Sequence, residues 1–259
     1  MKRIDRLKYA RKVLLAQDKI TLRHQKFVLT ELKKTANELA VSFLEYGDTR
    51  FPNIERDHYF RIKDVLTKLT DATGKVFLAM PTQSLKAIEF ETVIENQIYS
   101  MLAANALISA TSVSQTTVAM ANAIISQMMA QSTQENPVSP QQISKAIALK
   151  IGGVNARSRA MTIARTETHN AANMAQYERA KASARDAEID VLVEWIATND
   201  SRVRDNHRHA DGQKQPIGAP FNVGGDKLKY PGDRNGRPVN TINCRCVLGY
   251  HLPEETTDE

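Results

Sequence analysis

Leucine, valine and phenylalanine recur at helical spacing from the start of the chain, at Leu7, Leu14, Leu22, Val28, Leu29, Leu32, Leu39 and Phe43. No Gly or Pro interrupts this run before Gly47, so the pattern predicts one helix over the first 46 residues. Gly47-Asp48 closes it and Phe51-Pro52-Asn53 connects onward. A second helix is expected from about Glu55 to Thr70, with Ile62, Val65, Leu66 and Leu69 on one side. Gly74 and Pro81 flank Val76-Phe77-Leu78, which fits a short strand or a helical turn.

The pattern then changes. Between Glu95 and Glu135 there is no charged residue, no Gly and no Pro; the stretch is Ala, Ser, Thr, Asn, Gln, Ile and Met. A membrane span needs roughly 20 predominantly apolar residues, and Asn105, Ser109, Thr111, Ser112, Ser114, Gln115, Thr116, Thr117, Asn122, Ser126 and Gln127 interrupt every window. Small side chains permit close helix approach, and a charge-free polar face suits burial against protein. A helix or helical hairpin packed within an assembly is therefore expected, with a break near the β-branched run at residues 111–118.

Asn136-Pro137-Val138-Ser139-Pro140 punctuates the chain. Ser139 is placed to cap a helix that has Pro140 at its first position and runs to about Lys150, where Gly152-Gly153 stops it. A longer helix starts at Asn155 or Ala156 and reaches about Ala184. Residues 190–197 are rich in β-branched and aromatic side chains and read as a strand, as do Asn243–His251. The 40 residues between them are crowded with Gly, Pro, Asn, Asp and His, long enough without structure to be functional or cross-linked.

Composition sets the frame. With 259 residues, 42% hydrophobic and 6% aromatic, the chain can build a core, mainly from aliphatic side chains, in one or two domains. The expected fold class is α+β, mainly α: long N-terminal and central helices, then a small C-terminal α+β module with an irregular loop and short antiparallel strands. The domains are expected at 1–135 (helical, with a basic start and a charge-free centre) and 140–259. The charged N-terminal run Met1-Lys2-Arg3 carries no apolar stretch after it, so cytosolic synthesis is expected.

The net charge of +6 is unevenly placed. Residues 1–80 hold 17 Lys/Arg against 10 Asp/Glu, and residues 1–34 alone hold 11 against 3. A localised basic segment attracts phosphate or an acidic protein surface, and Lys2, Arg3, Arg6, Lys8, Arg11 and Lys12 are the candidate contacts. The plainer reading is a solvated helix face.

No Gly-rich phosphate loop, no Gly-x-Ser-x-Gly and no His-Glu-x-x-His is present, so these local motifs give no support to nucleotide-binding, hydrolase or zinc-protease chemistry. The C-terminal irregular segment is different: His207, His209, Cys244 and Cys246 lie there among carboxylates, a donor set that suits zinc, with Asp205 as a further candidate. No other cofactor is indicated. Alternatively, the cysteines are small buried hydrophobes on a strand and His207 is a hydrogen-bonding residue.

Several of these residues fall in a recognisable order. Arg165-Thr166-Glu167, Trp195, Asp200-x-Arg202-x-Arg204-x-x-His207-x-x-x-Asp211-Gly212, Phe221, Pro231-Gly232-Asp233 and Asn243-Cys244-Arg245-Cys246 resemble the Mu F-like head morphogenesis family of tailed bacteriophages. The resemblance covers about residues 150–250. Some family members carry a Cys-x-x-Cys where this chain has Asp205-Asn206-His207-Arg208. The resemblance implies a non-enzymatic minor head protein of the virion, at the portal vertex or head interior. Its implied partners are portal protein, major capsid protein and packaged DNA, with roles in head assembly, packaging or ejection and no small-molecule substrate. Read as chemistry, the alternating charges Arg165, Glu167, Asp200, Arg202, Arg204, Asp211 and Arg245, with Trp195, Gly212 and Asn243, then form a structural network. The competing readings are a metal-dependent nuclease or toxin-like enzyme built on His207, Cys244 and Cys246, and a membrane-active ejection protein using residues 96–134.

Overall fold

The computed structural model describes residues 3–47, 50–80, 92–198 and 200–252, with side chains described from Arg6 and, after the gap at 81–91, from Ile94. Five helices come first: α1 Arg3–Tyr46, α2 Pro52–Ala79, α3 Thr92–Ala130, α4 Pro140–Gly152 and α5 Val154–Asp186. The smaller elements follow: β1 Leu192–Ile196, α6 Asp205–Ala210, β2 Lys214–Pro216, β3 Phe221–Val223, β4 Asp226–Leu228, α7 Pro238–Thr241 and β5 Val247–His251. The fold is α+β and mainly α, as the pattern predicts.

Three differences from the sequence expectation stand out, at Gly74, in α3 and in the irregular segment, while Val76-Phe77-Leu78 takes the helical one of its two expected forms. Gly74 does not stop α2, because a side chain there would run into Tyr99 and Leu102, and the glycine serves close packing. Val76-Phe77-Leu78 is accordingly helical, with Phe77 fully buried. Nor does α3 break at residues 111–118. The hydroxyls of Thr111, Thr116 and Thr117 donate to the carbonyls of Leu107, Ser112 and Val113 one turn back, so these side chains stay inside the helical hydrogen-bond pattern. In the irregular segment, three short strands and two short helices hold the chain.

The capping expectation at α4 is met: Ser139 Oγ accepts from the Gln142 amide, and Gln142 Oε1 accepts from the Ser139 amide. Among the described residues, no helix is long and apolar enough to cross a membrane.

The chain divides into two compact units. One comprises residues 21–69 and 104–164, the other residues 1–20, 70–103 and 165–259. Residues 131–139 form the α3–α4 loop, and neither unit is contiguous in sequence. The helices explain why: α1 alone has 44 residues, about 66 Å at 1.5 Å per residue, longer than one small core needs.

In the unit of residues 21–69 and 104–164, α3 buries Ala106, Ala110, Val113, Thr117, Val118, Ala121, Ile124 and Ile125, a stripe at three- and four-residue steps. This accounts for the apolar half of that charge-free stretch, while Ile108 and Met129 on its other side are exposed. Around it lie Val28, Leu32, Ile62 and Leu66 in one cluster, and Leu39, Phe43, Ile143 and Ile147 in another. A buried polar group sits among them: Thr35 Oγ1 and Thr117 Oγ1 contact the two ring nitrogens of His58 at 2.7 Å and 3.3 Å.

The unit of residues 1–20, 70–103 and 165–259 carries the C-terminal constellation. A three-stranded antiparallel sheet runs β2-β1-β5, with Trp195 opposite Leu248 and Glu194 opposite Gly249. The hairpin β3-β4 pairs Phe221 with Leu228. The second half of α5 contributes Ala171, Ala172, Ala175, Tyr177 and Ala180 to the same core, where Trp195 and Phe221 are fully buried. Small residues let the backbone of α5 approach the loops beside it.

Candidate metal centre and its arginine-lined cavity

His207, at the middle of α6, and Cys244 and Cys246, just before β5, are all buried. The ligand atoms of the three lie within 4.8 Å of one another. His207 Nδ1 is 3.2 Å from Cys246 Sγ and 3.6 Å from Cys244 Sγ. The imidazole is held edge-on by Trp195, at 5.7 Å between centroids and 82° between planes. His207 Nε2 is buried without a hydrogen-bond partner, so the polar contacts of the ring are on its sulfur side.

Protons distribute unequally over the two thiols. Hydrogen bonding from Cys246 and from His207 pulls Cys244 well below the usual thiol range. Burial, then the adjacent Cys244, push Cys246 well above it. One thiolate therefore forms readily beside a second sulfur and an imidazole. Chemically this is a donor set for a soft divalent cation, and both cysteines are free rather than disulfide-bonded.

His209 and Asp205 are exposed and outside this group. Both are two residues from His207 on α6, and residues two apart on a helix do not share a face.

A cavity of about 230 Å³ borders all three ligand residues and is lined also by Arg165, Arg202, Arg204, Arg245 and Asn243. Asp200 holds Arg245 by two hydrogen bonds, one of 2.7 Å, and also pairs with Arg202 at 3.3 Å. These contacts, Arg245 foremost, keep its carboxyl well below the usual carboxylate range. Arg204 donates to the Ile242 carbonyl. Burial lowers the guanidinium of Arg165, and Arg245 and Arg202 add like-charge repulsion against the opposing pull of Asp18.

The other residues singled out from the sequence hold loops. Arg165 Nη1 donates to Asn243 Oδ1 at 2.9 Å, and the Asn243 amide donates to Thr166 Oγ1 at 2.9 Å. Asn243 sits at φ +58°, the left-handed region that asparagine tolerates. Glu167 pairs with Arg234. Asp211 accepts from the Ala197 amide at 2.8 Å and pairs with Arg6, and Gly212, at φ +82°, donates its amide to the Trp195 carbonyl.

Of the six N-terminal basic residues, Lys2 lies outside the described residues, as does the side chain of Arg3. Arg6 is not an exposed contact: its Nε is 2.7 Å from Glu194 Oε1, and 14% of its side chain is accessible. Lys8, Arg11 and Lys12 are exposed on α1.

The sequence reading missed residues that do as much. Asn170 donates to the Gly232 carbonyl at 2.7 Å, and Asn173 to those of Pro231 and Cys246 at 3.0 Å and 3.2 Å. Asn240, also missed, donates to the Val223 carbonyl and to Asp226, while Asp233, already quoted in the motif, accepts from the amides of Lys229 and Asn235. A signal was present for the first pair: two asparagines three apart in an Ala-rich helix face have to satisfy polar atoms against a close neighbour.

Along α5, then, Arg165, Thr166, Glu167, Asn170 and Asn173 fasten successive points of the segment that presents Cys244 and Cys246. Residues 115–249, just over half of the chain, match the family model for Phage Mu protein F like protein. The chain belongs to that family. This Mu F-like chain is a phage head-related protein. It is also 32% identical over 91 residues to an NAD(+)–arginine ADP-ribosyltransferase, EFV, of Enterococcus faecalis. That alignment covers 34% of this chain and 18% of the transferase, so the Mu F-like chain spans less than a fifth of this relative's length. No solved structure matches the chain.

Proposed function

We propose that this Mu F-like chain is a structural minor head protein, held at the portal vertex or inside the head, with a role in head assembly. Portal or major capsid protein would be its protein partner, and packaged DNA could meet the exposed Lys8, Arg11 and Lys12 of α1. The observation that carries this reading is how the charged residues of the family-matched region are used. Arg165, Thr166 and Glu167 bind Asn243 and Arg234, while Asp211 and Asp233 bind Ala197, Arg6 and Lys229, so these polar groups are engaged within the fold. Such an arrangement fixes a shape, which is what a structural role asks of these residues.

The Enterococcus faecalis transferase shares only 18% of its length with this chain, too little to support the same activity here. A Mu F-like chain without turnover should neither consume NAD(+) nor cleave DNA.

The test is localisation with an activity control. Tagged protein should co-purify with mature virions at low, fixed copy number and appear at the portal vertex or head interior by electron cryomicroscopy. Absence from purified virions, or metal-dependent cleavage of plasmid DNA by the purified chain, would sink the structural reading.

A further inference from the structure

We propose that His207 Nδ1 and the sulfurs of Cys244 and Cys246 bind one zinc ion, whose fourth coordination position faces the arginine-lined cavity and takes a phosphate oxygen. This is independent of where the protein sits in the head.

The geometry is the first argument. With Zn–N near 2.1 Å and Zn–S near 2.3 Å, a tetrahedral N–Zn–S angle implies an N···S edge of about 3.6 Å. The two N···S separations are 3.2 Å and 3.6 Å. The site therefore needs shifts of only a few tenths of an ångström to close on the ion. All three residues are buried, and thiolate with imidazole selects zinc over calcium or magnesium. The backbone around them is fastened by Asn173 on the Cys246 carbonyl and by Thr166 on the Asn243 amide, so the donors are held before any ion arrives.

The fourth position follows from the count of donors. Among the described residues no fourth His, Cys, Asp or Glu joins the group, and the cavity that borders all three ligands is lined by four arginines. A zinc ion with two thiolates is close to neutral. Two carboxylates act on these four arginines: Asp200, already committed to Arg245 and Arg202, and Asp18, which acts on Arg165 and Arg245. Arg165 and Arg204 are engaged by an amide oxygen and a backbone carbonyl, neither of which cancels a charge. Positive charge thus exceeds negative around a cavity of about 230 Å³, and guanidinium forks match phosphate oxygens. Free phosphate and a nucleic-acid backbone present the same oxygen chemistry.

The full chain, purified from zinc-supplemented culture, should carry one zinc per chain by elemental mass spectrometry. Replacing zinc by cobalt should give a thiolate-to-cobalt charge-transfer band and tetrahedral d–d bands. Inorganic phosphate, or in a second arm a short DNA duplex, should shift the d–d bands; the arm that acts at lower concentration identifies the source. Cys246→Ser should lose the charge-transfer intensity. Because that variant could fail to fold, Arg202→Gln, at an exposed side chain, provides the second measurement. It should keep the metal and the charge-transfer band while weakening phosphate roughly tenfold, the effect of removing one charge-assisted hydrogen bond. A metal-free chain, or one whose thiols close to a Cys244–Cys246 disulfide in preference to binding zinc, overturns the metal site. Cobalt bands that neither phosphate nor DNA moves overturn the open fourth position.

Discussion

Arg165 Nη1 donates to Asn243 Oδ1 at 2.9 Å, joining helix α5 to a left-handed turn 78 residues later. The partner is an amide where charge alternation in the sequence suggests a carboxylate, and this changes the expected cost of losing it. Removing one member of a buried ion pair costs about 3–5 kcal/mol. Orphaning a neutral acceptor costs about 1–3 kcal/mol. Arg165→Ala should therefore lower stability by the smaller amount, measured as a thermal or denaturant midpoint of the full chain. A loss above about 4 kcal/mol would mean that the nearby Asp18 is the partner that matters.

Glu194 is the buried ion pair that the alternation of charge did not reveal. It lies on β1 between Arg6 Nε and His251 Nε2, each 2.7 Å away, with 7% of its side chain exposed. Glu194→Ala should cost about 3–5 kcal/mol, because Arg6 would keep only Asp211 as its counter-charge. Arg6→Ala should cost a similar amount, and the double variant less than the sum of the two, since they remove the same interaction. Strictly additive losses in a double-mutant cycle would show that the pair is not coupled.

What could be read from the chain divides along these lines. Local signals located α1, α4, α5, β1 and β5, because helical spacing, the Ser139-Pro140 cap and β-branched runs act within a few residues. The turn chemistry at residues 199–240 also flagged a segment held by something other than regular structure. What holds it lay out of reach: Arg6 with Glu194, or Asn173 with Pro231, are contacts between residues far apart in sequence, and single-residue chemistry does not pair them. The same limit let the donor types of the metal centre be named but not its membership. His207 and His209 are equal as letters and become distinct only once α6 turns one inward and the other to solvent. The expected break in α3 failed for the converse reason. Propensity against β-branched residues is weak, and the burial of Val113, Thr117 and Val118 along α3 outweighs it.

His58 gives the fold an acid-sensitive point. Burial first, then Arg61 and Arg159, lower its pKa from the ordinary 6.5 to about 3. The folded state therefore keeps it neutral where the unfolded chain would protonate it. Its contribution is fully present above pH 6.5 and is lost as pH falls from there toward 3, at up to about 1.4 kcal/mol per pH unit. His169, likewise lowered to about 3 by burial, adds a slope of the same sign. His58→Gln, measured by urea midpoint between pH 7 and 4, should flatten the loss by about one proton's worth. Parallel curves for variant and wild type would show that His58 is already charged or solvated in the fold.

A DNA contact by α1, if it forms, has a salt signature that the structure narrows. Of the candidate contacts at the start of α1 whose side chains are described, Arg6 is committed to Glu194 and Asp211, which leaves Lys8, Arg11 and Lys12 exposed. Each phosphate neutralised releases counterions, with a slope of about −0.9 in log K against log salt per contact on duplex DNA. Neutralising all three to Gln should reduce that slope by about 2 to 3 and weaken binding severalfold or more at low salt, without lowering the melting temperature, since none is buried. Arg6→Gln should do the reverse: a lower melting temperature and, in the fraction that stays folded, an unchanged salt slope. Binding measured by fluorescence anisotropy between about 50 and 200 mM salt separates the two. If the triple variant binds duplex DNA with the wild-type affinity and slope, α1 carries no phosphate contact there, and its basic face is either solvated or directed at an acidic protein surface. The same triple variant tested against purified portal protein decides between those two.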